Sequence, residues 1–135
     1  MIRVVAAVVR REGRYLLGLR PAEKRHGGLW EFPGGKTDPG ESLLDAARRE
    51  LSEEMDLRVT GVGRRLLSVP DTGSGFVIDF LEIRVSGEPT ALEHAEIGWF
   101  RPDEMTDMAL APADERFARQ LLDAAEANAG VRSRR

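Results

Sequence analysis

Residues 2–9 form the stretch Ile2-Arg3-Val4-Val5-Ala6-Ala7-Val8-Val9, apolar except for Arg3. β-Branched residues at this density favour a strand. A continuous apolar run, in place of strict alternation, calls for burial on both faces. Such a strand needs a layer on each side, so the expected fold class is α/β in the mixed α+β sense, a mixed sheet between helices.

The chain has 135 residues, 41 % apolar and 32 % charged. That suits one compact domain, expected over residues 1–130, with a core large enough to need no staples. Cysteine is absent, which excludes disulfides, thiolate metal sites and a cysteine nucleophile. A net charge of −3 gives no reason to expect a nucleic acid polymer as partner. No apolar run approaches the roughly 18 residues that cross a membrane, and the first residues do not read as a signal peptide. A cytoplasmic location is therefore expected. The basic residues 131–135 read as a solvated tail.

Along the chain, residues 10–14 read as a turn and 15–19 as a second strand, giving a hairpin with 2–9. Residues 21–28 form a polar loop. Residues 29–32 are short and aromatic, with Trp30 and Phe32 expected to pack inward. The turn-rich segment Pro33-Gly34-Gly35-Lys36-Thr37-Asp38-Pro39-Gly40 leads into a helix over about 42–55, with Leu44, Ala47, Leu51 and Met55 as its apolar stripe. Strands are expected over 57–68, 76–85 and 97–100, with a turn at 71–75. A closing helix is expected over about 112–127, Pro112 in its first turn.

The first helix carries the chemistry. Glu50, Glu53 and Glu54 are spaced i, i+3, i+4 and share one face beside the apolar stripe. Like charges so close repel, and a divalent cation is the natural compensation. An oxygen-only set suits Mg²⁺ or Mn²⁺ better than zinc. A bare Glu-x-x-Glu-Glu is more often a solvated acidic face, Glu53 for instance pairing with Arg49. The preceding Gly34-Gly35-Lys36 shifts that balance. Two glycines let a ligand approach the backbone, and Lys36 is a flexible cation for phosphate oxygens.

Together these residues resemble the Nudix box. Gly35, five residues, Glu41, seven residues, then Arg49-Glu50-Leu51-Ser52-Glu53-Glu54-Met55-Asp56-Leu57 follows its spacing. One position departs: the box's last glycine is Asp56. That glycine follows the helix, where the left-handed region is common, and aspartate tolerates it better than most residues. The resemblance implies a Nudix fold in which Glu50, Glu53 and Glu54 hold the metal, joined by a backbone carbonyl of Gly34 or Gly35. It also implies that Arg49 orients a catalytic glutamate, that Glu41 anchors the loop, and that water attacks a diphosphate phosphorus.

Within the superfamily the chain looks like the MutT and CTP pyrophosphohydrolase branch. Gly28-Leu29-Trp30-Glu31-Phe32 and Arg20-Pro21 match that branch, the arginine lying near the nucleotide there. Glu93, followed by His94, resembles its additional catalytic or metal-binding glutamate, whereas His94 itself reads as a plain loop residue. Ala111-Pro112-Ala113-Asp114 resembles the base-recognition segment. An ionised Asp114 only accepts hydrogen bonds and so fits the amino group of cytosine; a protonated one can read an oxopurine. The same acid could instead simply complement a helix dipole.

The expected activity is Mg²⁺-dependent hydrolysis of nucleoside triphosphates or their deoxy forms to monophosphate and pyrophosphate, favouring cytosine. The expected catalytic residues are Arg49, Glu53 and Glu93, and the expected substrate contacts are Arg20, Lys36 and Asp114, in a monomer or homodimer. Three alternatives stand beside it: a sanitising hydrolase for oxidised purine nucleotides, hydrolysis of another nucleoside diphosphate-linked substrate, and an inactive binding module.

Overall fold

The structure, a computed structural model, describes residues 2–71 and 74–133. Strand β1 (Ile2–Val8) sits at its centre. It pairs in parallel with β7 (Phe76–Ser86), Val5 opposite Asp79, and antiparallel with the short β5 (Gly34–Lys36), Val5 opposite Gly35. The long β6 (Arg58–Asp71) closes the other side of β7, giving the order β5-β1-β7-β6 in a mixed sheet.

Both faces of this sheet are covered, as the apolar run at 2–9 requires. Val5, Ala7 and Val9 pack with Leu81 and Ile83 against Ala46, Ala47, Leu51 and Met55 of α1 (Leu43–Met55). Ala6 and Val8 point the opposite way, onto Phe80, Phe117 and Ala118. The last two belong to α3 (Pro112–Ser133). Phe32 completes that second core, meeting Phe80 and Phe117 edge-on at 5.7 and 5.3 Å. Trp30 packs edge-on against Phe100. Both aromatics thus pack inward, as expected.

Several features differ from the sequence expectation, among them the strand at Gly34–Lys36, expected as loop, and β6, which runs on to Asp71. The first strand does not form a hairpin with residues 15–19. At Val9 the chain leaves the mixed sheet, and Arg10–Arg11 (β2) pairs instead with β3 (Arg14–Leu19) in a second, antiparallel sheet. β3 also pairs with β4 (Trp30–Glu31) and β8 (Glu96–Phe100). A short helix α2 (Pro102–Met105) follows β8, its Glu104 carboxylate accepting from the Arg101 N–H at 2.9 Å. Finally, α3 runs to Ser133 rather than ending near residue 127. Residues 72 and 73 of the expected turn, and the end of the expected tail at 134–135, lie outside the described residues.

Helix α1 begins where Ser42 accepts the Asp45 N–H at 3.1 Å, satisfying one of the first-turn donors. It ends at Asp56, which takes φ 54° and ψ 37° and sends its N–H back to Leu51 and Ser52. The left-handed stop expected from the box is therefore kept without glycine. Asp56→Gly should stabilise the protein by about 0.5–1 kcal/mol, because glycine takes this conformation without a Cβ penalty. Urea unfolding measures this; a loss of stability would show that the aspartate side chain supplies a cap worth more than the strain.

Candidate active site

Glycine is required at both positions ahead of α1. A Cβ on Gly34 would lie 1.9 Å from the Val5 carbonyl oxygen, and one on Gly35 would lie 2.5 Å from Glu50 Oε1. The loop therefore presses backbone directly onto a carboxylate of the helix. The Gly34 N–H donates to Glu54 Oε2 at 3.0 Å, tying the same loop to a second carboxylate one turn further on.

Arg49 ties the assembly together. Its Nε and Nη2 reach both oxygens of Glu41 at 3.0 and 2.9 Å, a bidentate pair. Nη1 donates to Glu50 Oε1 at 2.8 Å and lies 3.6 Å from Glu53 Oε2, while Nη2 also donates to the Lys36 carbonyl at 3.0 Å. Glu41 in turn accepts the Asp38 N–H at 2.9 Å. The hydrogen bond from Arg49 holds the Glu41 carboxyl down to about 2 and raises the guanidinium's own pKa in return.

The three glutamates of the helix sit in different surroundings. Glu53 is exposed. Glu50 is half-buried, and desolvation raises its pKa against the opposing pull of Arg49. Glu54 is only 6 % exposed, and burial, reinforced by the charges of Glu50 and Glu31, pushes its carboxyl up to about 9. Glu93 is exposed and lines the same cleft of about 210 Å³ as Glu50, Glu54, Gly34 and Lys24.

Two residues that carried no expected role stand at the centre of this cleft. His94 is buried, with Nε2 3.0 Å from Glu31 Oε2 and 3.8 Å from Glu54 Oε1. Ligand atoms of Glu31, Glu54 and His94 lie within 4.8 Å of one another, a group able to hold a metal ion. The ring occupies space that only a glycine leaves free, since a Cβ on Gly18 would come within 2.4 Å of it. Its loop is fixed by the Leu92 N–H to the Glu54 carbonyl, Thr90 to Met55 and Ala95 to Leu19. Strand alternation was the available signal for Glu31. Between two inward-facing aromatics, it must face the other way.

A second cleft, of about 410 Å³, opens beside the first, with Arg20, Glu31 and Gly34 on the wall common to both. Lys36 lines it, with Nζ 4.7 Å above the Phe76 ring. Arg20 is not free: Nη1 pairs with Glu31 at 3.1 Å and Nε donates to the Arg25 carbonyl at 2.7 Å. Asp114, also on its lining, is buried in the first turn of α3 and accepts the Phe32 N–H at 2.8 Å. Burial raises its carboxyl to about 7, so both protonation states are populated at neutral pH.

The chain matches the NUDIX domain family model over residues 1–123. It is 43 % identical over 117 residues to the CTP pyrophosphohydrolase of Escherichia coli K12, covering 84 % of this chain and 86 % of that protein. It is 32 % identical over 121 residues to the putative 8-oxo-dGTP diphosphatase 2 of Mycobacterium tuberculosis H37Rv, covering 87 % and 86 %. Among solved structures, the E. coli ORF135 protein in solution superposes with a TM-score of 0.78 at 40 % identity, over 95 % of this chain and 92 % of that one. The MutT NUDIX hydrolase of Burkholderia pseudomallei gives 0.78 at 30 %, over 89 % and 96 %.

The buried Glu54 makes a stability prediction. Its carboxyl moves from 4.5 when unfolded to about 9 when folded. The folded protein then holds this proton more tightly than the unfolded chain, so metal-free stability should fall as pH rises between those values. Glu54→Gln should therefore stabilise the metal-free protein at pH 8 while reducing the stabilisation gained on adding Mg²⁺. Thermal unfolding with and without chelator reads both effects, and a variant less stable than wild type in chelator would contradict the burial argument.

Proposed function

The chain belongs to the NUDIX family, and from that premise we propose that it is a divalent-metal-dependent, cytoplasmic hydrolase that cuts nucleoside triphosphates to monophosphate and pyrophosphate. The observation that carries this reading is the convergence of Glu50, Glu54 and Glu93 on one cleft, with Arg49 and the Gly34-Gly35 loop fixing two of them.

The donor set fits a hard divalent cation, Mg²⁺ or Mn²⁺. Glu54 stays protonated to about 9 without compensating charge, its carboxyl accepts the Gly34 N–H, and the Glu50 carboxylate occupies the space beside Gly35 that a Cβ would fill. Glu50, Glu53 and Glu54 would hold the ion, with backbone oxygen from Gly34 or Gly35. When bound, it offsets the charge on these acids and on the phosphate oxygens and lowers the pKa of a water in its shell.

The protein's own groups then divide the work. Water attacks phosphorus, a new P–O bond forms as the anhydride P–O bond breaks, and pyrophosphate leaves. Glu53 and Glu93, the two exposed acids of the set, are the proposed acceptors of the water's proton. Arg49 holds Glu50 and, more loosely, Glu53 in position. Lys36 and Arg20 line the path of the phosphates and nucleoside. Glu53→Gln and Glu54→Gln should each reduce turnover by at least about 100-fold, the scale of losing a key electrostatic or acid–base group. Near-normal steady-state rates in both would remove these ligands from the assignment.

Asp114 is the proposed base reader, and a cytosine nucleotide is the favoured substrate. The similarity to a CTP pyrophosphohydrolase supports this, and so does the acceptor on the lining of the larger cleft. The reading for oxidised purines keeps its own support, because a carboxyl near 7 is half protonated at neutral pH. The two states should respond to pH in opposite directions. Above about 7 the ionised form accepts from the cytosine amino group, so kcat/KM for CTP relative to 8-oxo-dGTP should rise with pH. Asp114→Asn should flatten that ratio, since the amide keeps the Phe32 contact and does not titrate. A ratio that does not change between pH 6 and 8 would take Asp114 out of base recognition.

A further inference from the structure

The loop at residues 21–28 contributes to both clefts and is cross-linked by its own backbone. Arg20 and Leu29 close its neck, the Arg20 N–H donating to the Leu29 carbonyl at 3.0 Å and the Gly28 N–H to the Arg20 carbonyl at 3.0 Å. Inside the neck the Lys24 N–H bonds Pro21 and the Gly27 N–H bonds Lys24. The Arg20 guanidinium reaches across to the Arg25 carbonyl. His26 takes φ 59°, a left-handed conformation uncommon outside glycine. Gly27 admits no side chain, because a Cβ there would lie 2.4 Å from the Ala22 carbonyl oxygen. These bonds hold the loop's backbone in one arrangement.

What the loop holds out is positive charge. Lys24 lines the carboxylate cleft, while Arg25 and His26 line the larger one. All three are exposed, and among the described residues none of their side chains has a hydrogen-bond or ion-pair partner. Glu31, Glu50, Glu54 and Glu93 lie in the same clefts, yet Lys24 and Arg25 pair with none of them. Arg20, at the root of the loop, is the cation that neutralises Glu31. Two cations kept apart from neighbouring acids and placed on either side of a shared wall suit an anion that crosses that wall.

We infer that the 21–28 loop is a phosphate clasp, in which Lys24 and Arg25 grip the polyphosphate chain of the nucleotide as it runs from the larger cleft into the carboxylate cleft. The inference rests on the function proposed above and adds to it a preference for a chain of several phosphates. Binding by these cations is made before the reaction and kept through it, so they serve affinity more than rate.

The test uses Lys24→Ala, Arg25→Ala and the double variant, all at exposed positions without partners, with unfolding curves confirming an intact fold. KM and kcat are measured for CTP with Mg²⁺, together with inhibition by inorganic tripolyphosphate. Each single change should raise both KM and the tripolyphosphate inhibition constant about tenfold, the scale of one lost charge-assisted contact, while kcat changes less than about threefold. A larger rise in the double variant than in either single one supports a shared grip. Wild-type KM and inhibition constants in the double variant would overturn the clasp, as would a fall in kcat at unchanged KM. Should the wild type turn over no nucleotide, the proposed reaction fails by itself. Calorimetric binding of tripolyphosphate to wild type and double variant then decides the clasp alone: tighter binding by wild type upholds it, and equal binding removes it.

Discussion

The Arg49 guanidinium is the contact on which the rest of the site depends. One planar, always-charged group touches Glu41 twice, Glu50 once and the Lys36 carbonyl once. It thereby joins the loop ahead of the helix, the helix itself and the third residue of β5. A lysine could supply the charge but not this fork of donors, because its ammonium is a point. Four acids lie close to it, and their mutual repulsion would open the loop without it. The same geometry leaves Glu54 outside the guanidinium's reach, so the most deeply buried of the helix's glutamates is the one this arginine does not neutralise.

The far end of helix α1 does a second job. Its last carbonyls, which a helix leaves without internal partners, receive the N–H groups of Thr90 and Leu92. The segment carrying Glu93 and His94 is thus registered against the same helix that carries Glu50 and Glu54. Movement of that helix would shift both walls of the carboxylate cleft together and keep their spacing. Gly18 and Gly35 serve the same end from the opposite side, leaving open the volumes that His94 and Glu50 fill.

Much of this was legible in the residues. The two-sided burial of β1 followed from its apolar run, and the helix limits followed from the turn formers ending at Gly40 and from the position of Asp56. The aromatics Trp30 and Phe32 packed inward as their type suggests. What stayed hidden depends on partners distant in sequence. Nothing local in Arg10 and Arg11 says that the chain changes sheets there, because that is decided by Phe100 and its neighbours pairing with β3. His94 read as a loop residue because its burial is created by the missing side chain of Gly18 and by Glu31, both more than sixty positions earlier. Lys24 and Arg25 look like ordinary solvated charges until the folded neck of their loop shows which clefts they flank.

The parallel pairing of β1 with β7 also sets an order of events in time. Ile2 waits for Phe76 and Val8 for Glu82 before the central strand has its partner. The loop and helix that carry the carboxylates lie entirely between these two strands, and the helix leans on Leu81 and Ile83 of β7 as well as on β1. During synthesis from the N-terminus they therefore emerge before part of their own support, on a nascent chain whose central strand is still exposed along one edge. That edge is apolar, so for the interval needed to make β7 the growing protein presents a surface suited to unwanted pairing, and rapid completion of the chain protects it as much as any contact in the finished fold.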